Sequence, residues 1–257
     1  MLTFRNTNII FISLLVLLVG LQIKVGVPVY IYLLAFVAYS LILFYGCSYI
    51  TSDFFIKVSC AATTDKKEIA ISFDDGPATN YTPQILALLK QEDIKAAFFC
   101  IGDRIAGNEQ ILKQVQEDGH LIGNHSYTHH FWFDMFSSKK MLADMRMMDD
   151  AMKRVTGLQP KLFRPPYGVI NPNLKKAILK GNYVPVGWSV RSMDTVIKDE
   201  IKLVNKINAG IKPGAVFLFH DTSHTTLQVL PAFIKEVKNR GYAIVPLDKL
   251  LHLSPYA

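Results

Sequence analysis

Acidic side chains are missing altogether from residues 1–50, and only two basic ones, Arg5 and Lys24, interrupt that stretch. Little in it favours water, and a membrane span needs roughly 20 apolar residues to cross the hydrocarbon layer. Residues 8–23 are nearly continuous apolar sequence. After Lys24 a second run, residues 25–50, is broken only by Gly26, Pro28 and scattered hydroxyls. Tyr30, Tyr32, Tyr45 and Tyr49 sit towards the ends of that run, where interface aromatics collect. The first run is long for a signal-peptide core, and no small-x-small cleavage site precedes Lys24. Residues 1–50 therefore read as a two-span membrane anchor with a tight Lys-Val-Gly-Val-Pro turn.

Cysteine is also scarce. Cys47, Cys60 and Cys100 are an odd, scattered set, which excludes a disulfide framework and a thiolate metal site and leaves them as small buried hydrophobes. Blocks of like charge are absent, the net charge of +7 is spread along the chain, and no RNP, zinc-finger or helix-turn-helix pattern occurs. A nucleic-acid partner is excluded on those grounds. There is no internal repeat and no low-complexity tract.

Beyond a junction at residues 51–67, with a short strand expected over 54–60, strand-like and helix-like segments alternate. Residues 68–73 read as a buried strand ending in an Asp-Asp-Gly-Pro turn signal. Thr82-Pro83 opens an amphipathic helix, with Thr82 as N-cap. Further strands are expected over 95–101, 121–123, 161–163, 183–188, 216–219 and 243–245. Further helices are expected over 108–118, 137–155, 172–180, 198–209 and 227–240. Repeated β-α units imply a mainly parallel sheet with helices outside it, here a distorted or incomplete (β/α) barrel over residues 68–257 behind the N-terminal transmembrane helical hairpin. Functional residues of such barrels lie at the C-terminal ends of the strands.

Five polar motifs fall at those ends. Adjacent carboxylates, Asp74-Asp75, repel unless a cation stands beside them, although an ordinary turn is the plainer reading of Asp-Asp-Gly alone. His125 and His129 in His-Ser-Tyr-Thr-His would share one face of a helical turn and so ligate one metal. Two imidazoles plus one carboxylate, with positions left open, make a hydrolytic rather than a structural site. In Arg164-Pro165-Pro166-Tyr167-Gly168 the prolines stiffen the loop, which suits aiming the Tyr167 N–H at a developing oxyanion, with Arg164 beside a carboxylate. A structural arginine and a proline turn explain this motif equally well. Trp188–Asp194 and Leu218-Phe219-His220-Asp221 complete the set, His220 being a plausible general acid or a core histidine. His120, His130, His224 and His252 read as solvent or rim residues.

From about residue 68 to 251 the chain resembles the polysaccharide deacetylases of carbohydrate esterase family 4, which share the chitooligosaccharide-deacetylase homology domain. Ser72-Phe73-Asp74-Asp75-Gly76-Pro77, His125–His129, Arg164-Pro165-Pro166-Tyr167, the segment around Asp194 and Leu218-Phe219-His220 match the five family motifs in order and spacing. The resemblance implies a hydrolase of linear amide carbon–nitrogen bonds. Asp74 would be the base, and Asp75, His125 and His129 would hold a divalent metal, commonly Zn2+, with Co2+, Ni2+ or Mn2+ as alternatives. The Tyr167 N–H would hold the oxyanion and His220 would be the acid, with Asp194 orienting it and Arg164 braced against Asp74. Tyr167, Trp188 and Leu218 would bind the substrate. The chain departs from the family at Arg191, often an acid, and at Thr195, often a tryptophan. An Arg191 that reached Asp194 would compete for its carboxylate.

The expected substrate is an N-acetylated sugar polymer, peptidoglycan or a chitin-like glycan. The alternatives are a deformylase or deacetylase of a lipid-linked aminosugar and an inactive carbohydrate-binding homologue. The expected setting is a monomeric catalytic domain on the extracytoplasmic face of a bacterial inner membrane, carried by a multi-pass anchor in the bilayer. Charge counting opposes that sidedness, because Arg5, Lys57, Lys66 and Lys67 flank the ends against Lys24 alone.

Overall fold

The computed structural model describes residues 2–257. The two apolar runs form α1 (Phe4–Val25) and α2 (Val29–Ser48). At 1.5 Å per residue each helix is about 30 Å long, the thickness of a hydrocarbon core. The Thr3 hydroxyl accepts from the Asn6 N–H to start α1. Gly26, at φ +69°, ends it in a left-handed turn that a side chain would oppose. Phe11 stacks on Tyr39, whose hydroxyl donates to Asn8 Oδ1 (2.8 Å) and fixes the pairing of the two helices. Most of their other side chains are exposed, so the pair is a candidate transmembrane hairpin.

The remainder alternates strand and helix: β1 (Glu68–Asp74), α3 (Thr82–Gln91), β2 (Ala97–Cys100), α4 (Glu109–Glu117), β3 (Leu121–Asn124), α5 (Ser138–Thr156), β4 (Leu162–Phe163), α6 (Pro172–Gly181), β5 (Val184–Pro185), β6 (Val190–Arg191), α7 (Glu200–Ala209), β7 (Val216–His220), α8 (His224–Asn239), β8 (Ala243–Ile244) and α9 (Leu247–Leu251). The strands run in the order β5-β4-β3-β2-β1-β7-β6, with β8 pairing the start of β1, and every pair is parallel. The sheet curls into the incomplete (β/α) barrel expected from the alternation.

Period-two alternation sorts its side chains. Ile69, Ile71 and Phe73 of β1, Phe98 of β2 and Phe217 and Phe219 of β7 pack outward against α3, α4, α5, α7 and α8. Ala70, Ala97, Phe99, Leu162 and Val216 fill the interior, floored by Leu247 and Leu250 of α9. Carrying the inward set to the strand ends places Asp74 and His220 inside the mouth, and these two are register partners.

The strand expected over 54–60 is not formed. Asp53 sits at φ +52° and its carboxylate accepts from the Val58 N–H (2.9 Å), a local bond that competes with strand pairing. Phe54, Phe55, Val58 and Cys60 are all buried, without alternation. Only Ser59 and Ala61 make isolated bridges, to Val186 beyond β5 and to Ala215 before β7. The junction thus crosses the open side of the sheet. The strand expected over 183–188 shortens to β5: the Val186 N–H still donates to Phe163 O (2.9 Å), but the Gly187 N–H turns away from β4 to Ser59 O (3.0 Å).

Candidate active site

Asp74 and Asp75 end β1 and turn into the mouth, the turn requiring Asp75 at φ +77°. Asp74 is buried. Its Oδ1 accepts from Arg164 Nη1 (2.6 Å), and its Oδ2 lies 3.8 Å from His125 Nε2. Arg164 is wholly buried as well, its remaining donors going to Ser72 Oγ (2.8 Å), Gly187 O (2.9 Å) and Val186 O. Asp74 and Arg164 thus form a buried ion pair, and removing either partner would strand a charge.

Asp75 Oδ1 lies 3.6 Å from His125 Nε2 and 3.5 Å from His129 Nε2, and one ligand atom from each residue falls within 4.8 Å of the others. Arg164 O can only accept, so His125 Nδ1 donates across their 2.8 Å contact, and Nε2 is the ring nitrogen turned toward Asp75. Burial, followed by the neighbouring His125, lowers the His129 pKa to about 4, so this imidazole is neutral at pH 7. Two imidazoles and one carboxylate fit a divalent cation.

The helical turn expected to bring the histidines together is absent. Residues 125–130 are irregular, with Ser126 at φ +67° and His129 at φ +43°. Long-range bonds hold the loop instead. Asn124 Oδ1 accepts from the Ser126 N–H (2.8 Å), and Asp144 of α5 accepts from the Tyr127 N–H and the Thr128 hydroxyl (2.7 Å each). Asn124 in turn donates to Met145 O and to Asp149 (2.7 Å), which also takes the Tyr183 hydroxyl. Burial raises the Asp149 pKa to about 6 against those two hydrogen bonds. Sequence reading passed over both acids, yet a signal exists: they stand on the stripe of Met141, Met145, Met148 and Met152 that α5 buries.

Across the mouth, His220 Nδ1 donates to Asp194 Oδ1 (2.8 Å) and the His220 N–H donates to Oδ2 (2.7 Å). Ser192 Oγ (2.8 Å), the Thr195 N–H (3.1 Å) and the Thr226 hydroxyl complete the shell of this fully buried carboxylate. Burial works to lower the His220 pKa, but the Asp194 hydrogen bond and charge, with Asp74 and Asp75 beyond, raise it to about 9. The Asp194 pKa is lowered, its burial outweighed by His220 and Thr226. Arg191 does not compete for it; its guanidinium lies over the Trp188 ring, 5.8 Å from the centroid.

Asp74, Asp75, His125, His129 and His220 line one cavity of about 280 Å³ together with Pro165, Tyr167, Gly168, Trp188, Arg191, Thr195 and Leu218, with Arg164 and Asp194 buried behind it. A larger cavity of about 360 Å³, between the junction and α9, holds no comparable constellation. Tyr167 takes φ +59°, and its N–H has no acceptor among the described residues. Gly168, at φ +73°, lies against Trp188, which a Cβ there would overlap. Of nine non-glycine residues at positive φ among the described residues, five, Asp75, Ser126, His129, Tyr167 and Met193, belong to the motif loops. Such conformers cost on the order of 1–3 kcal/mol each and gather where function imposes them.

Two further expectations fail. His120 is buried rather than at the rim. It accepts the Ala96 N–H on Nδ1 (3.1 Å), and burial lowers its pKa to about 4. Thr82 is the first residue of α3, not its cap, because its hydroxyl donates to Asp221 Oδ2 (2.6 Å). Asp221, a motif residue to which the sequence assigned no role, is buried against Gly76 with Oδ1 unpartnered among the described residues, and burial, with the Asp75 and Asp74 charges, raises its pKa to about 7. His130, His224 and His252 are exposed.

Residues 61–186 match the polysaccharide deacetylase family model. A peptidoglycan-N-acetylglucosamine deacetylase of Bacillus cereus is 33% identical over 194 residues, 74% of this chain and 70% of that one. Among solved structures, the Bc1960 peptidoglycan N-acetylglucosamine deacetylase superposes with TM-score 0.74 at 29% identity, covering 78% of this chain and 95% of that one. The chitin deacetylase of Colletotrichum lindemuthianum gives 0.71 at 26% identity, with 78% and 94% covered. BA3943 of Bacillus anthracis, a pseudoenzyme of the CE4 family, superposes at 0.70 with 26% identity and coverage of 75% and 68%. Shape alone therefore does not separate active from inactive members, but sequence and structure agree on descent: the chain belongs to the polysaccharide deacetylase family.

Proposed function

We propose that this protein is a metal-dependent N-deacetylase of an N-acetylated amino-sugar glycan, peptidoglycan before a chitin-like polymer, held at a membrane by its N-terminal hairpin. One observation carries the reading: a buried carboxylate, Asp74, stands between Arg164 and a metal-competent triad and faces His220 across a single cavity. An inactive carbohydrate-binding homologue would have no use for that set.

Asp75, His125 and His129 would hold the metal, with Zn2+ the first candidate for this donor set and Co2+, Ni2+ or Mn2+ alternatives. When bound, the cation supplies Lewis-acid polarisation and acidifies water. Asp74, paired with Arg164, takes the proton of the attacking water. The free Tyr167 N–H donates to the acetamide oxygen as it gains charge. His220, protonated at neutral pH and oriented by Asp194, gives its proton to the departing nitrogen, so acetate and a free sugar amine leave. Trp188 and Leu218 wall the acetyl group.

Two spans put both termini on one side, and a wall polymer lies outside the cell. We therefore place the domain on the extracytoplasmic face of a bacterial inner membrane, the small charge bias notwithstanding. The test is acetate release by the full-length protein from peptidoglycan fragments and chitooligosaccharides. Release should vanish on chelation and return with added metal. Full turnover in a verified metal-free sample would overturn the reading.

A further inference from the structure

Only the base of the hairpin touches the domain, and it touches beside the pocket. The Phe4 N–H donates to Phe54 O (2.9 Å), and the Ile170 N–H donates to Cys47 O (3.1 Å). Ile170 lies three residues beyond Tyr167 and shares an apolar cluster with Ile50, Phe54 and Phe55, against which Trp188 also packs. Hairpin base and pocket therefore have a wall in common. The adjoining Asn171 donates to Asp134 O (2.6 Å) and so fixes residues 131–135 on the same side.

That loop divides its side chains sharply. Phe133 is 1% exposed, whereas Phe131 is 69%, Trp132 58% and Met135 73% exposed. The loop is well tied: the Trp132 N–H donates to His130 Nδ1 (3.0 Å) and the Met135 N–H to Trp132 O (3.0 Å). Rings step from it to the metal triad, Trp132 to Phe131 (4.8 Å), Phe131 to Tyr167 (6.4 Å) and Tyr167 to His129 (4.7 Å). Leaving a large apolar side chain in water forgoes the free energy of its burial. A bound loop showing Trp, Phe and Met beside two lipid-length helices matches the headgroup boundary, where tryptophan collects. The exposed cations Arg5, Lys57, Lys139 and Lys140 flank the hairpin base and the loop and suit anionic headgroups.

We infer that residues 131–135 form a third membrane contact beside the hairpin, so that the pocket opens at the headgroup layer and takes N-acetylated sugars carried on lipid. The sugar chemistry rests on the deacetylase reading; the membrane contact does not. The chain has two tryptophans, Trp132 and Trp188. In vesicles of anionic phospholipid brominated near the headgroup, the fluorescence of the full-length protein should be quenched. Trp132→Phe should remove most of that quenching. No difference between the parent and Trp132→Phe overturns the contact.

A Trp132→Ser/Met135→Ser variant should keep the parent's kcat/KM on a soluble N-acetylated oligosaccharide. On polyprenyl-linked N-acetylglucosamine in the same vesicles it should lose about 10-fold, the equivalent of 1.4 kcal/mol. Equal loss on both substrates would make the loop a sugar platform, and no loss on the lipid-linked one would make it a bystander; either overturns the inference. If the parent releases acetate from neither substrate, the hydrolase reading falls and, with it, the lipid-linked substrate. The quenching then decides the membrane contact by itself.

Discussion

Asp194→Asn tests how His220, the proposed acid, is kept charged. In the folded protein the His220 pKa rises from 6.5 to about 9, although burial pulls the other way. At about 1.36 kcal/mol per unit, that rise favours the imidazolium by on the order of 3 kcal/mol net of desolvation. Removing the Asp194 charge leaves burial opposed only by Asp74 and Asp75, the first paired with Arg164 and the second committed to the cation site. The pKa should then fall below its ordinary value. The basic limb of the kcat/KM profile should move down by two units or more, leaving less than about a quarter of His220 protonated at pH 7. Stability should follow. A raised histidine pKa contributes fully below pH 6.5 and is lost as pH rises through about 9, whereas the lowered Asp194 pKa contributes above 3.8 and is lost as pH falls. The parent should therefore melt lower at pH 9 than at pH 6, and Asp194→Asn should flatten that slope. The variant also puts an amide against the His220 N–H or the Thr195 N–H, an additional cost of about 1–3 kcal/mol, so melting and metal content must be measured beside the rates. A basic limb still near pH 9 would refute the reasoning.

Asp74→Asn should retain the metal, measured by atomic emission, while turnover falls by roughly 10²-fold or more. Asp144→Ala removes the acceptor that holds the Tyr127 N–H and the Thr128 hydroxyl; metal affinity, read by calorimetry, should drop about 10–100-fold, and an unchanged affinity would detach α5 from the site. Gly168→Ala demands a left-handed alanine that overlaps Trp188; a melting temperature and KM equal to the parent's would show that this packing is not needed.

The architecture was legible because β1 and β7 are short apolar runs ended by polar signals and the helices between them are long and amphipathic. The motif residues were legible because their types and order are specific to the chemistry. What stayed hidden were the bonds that cross the sequence. Nothing local to His125–His129 says that Asp144 replaces the helical hydrogen bonds, so a spacing of four read as a helix. Asp194 has an obvious partner in His220 but not in Thr226, 32 residues on. Thr82 looked like a cap because a distant acid, Asp221, had no way of announcing its claim on the hydroxyl. His120 read as surface because a core histidine and a rim histidine are spelled alike.

The bridges of Ser59 to Val186 and of Ala61 to Ala215 bear on where the catalytic domain can be cut free. They come from the segment that follows the hairpin, so the smallest self-sufficient folding unit begins upstream of β1. Cleavage at Glu68 would uncover backbone donors and acceptors at the ends of β5 and β7, and open strand edges recruit other chains. Such a fragment should aggregate even though every motif residue is present. A fragment beginning at Ser52 would keep the seam shut but lay bare Phe54 and Phe55, where Phe4 now rests. The N-terminal hairpin is thus also a lid on the domain's own stickiness, and solubility, rather than catalysis, is the first property its removal should change.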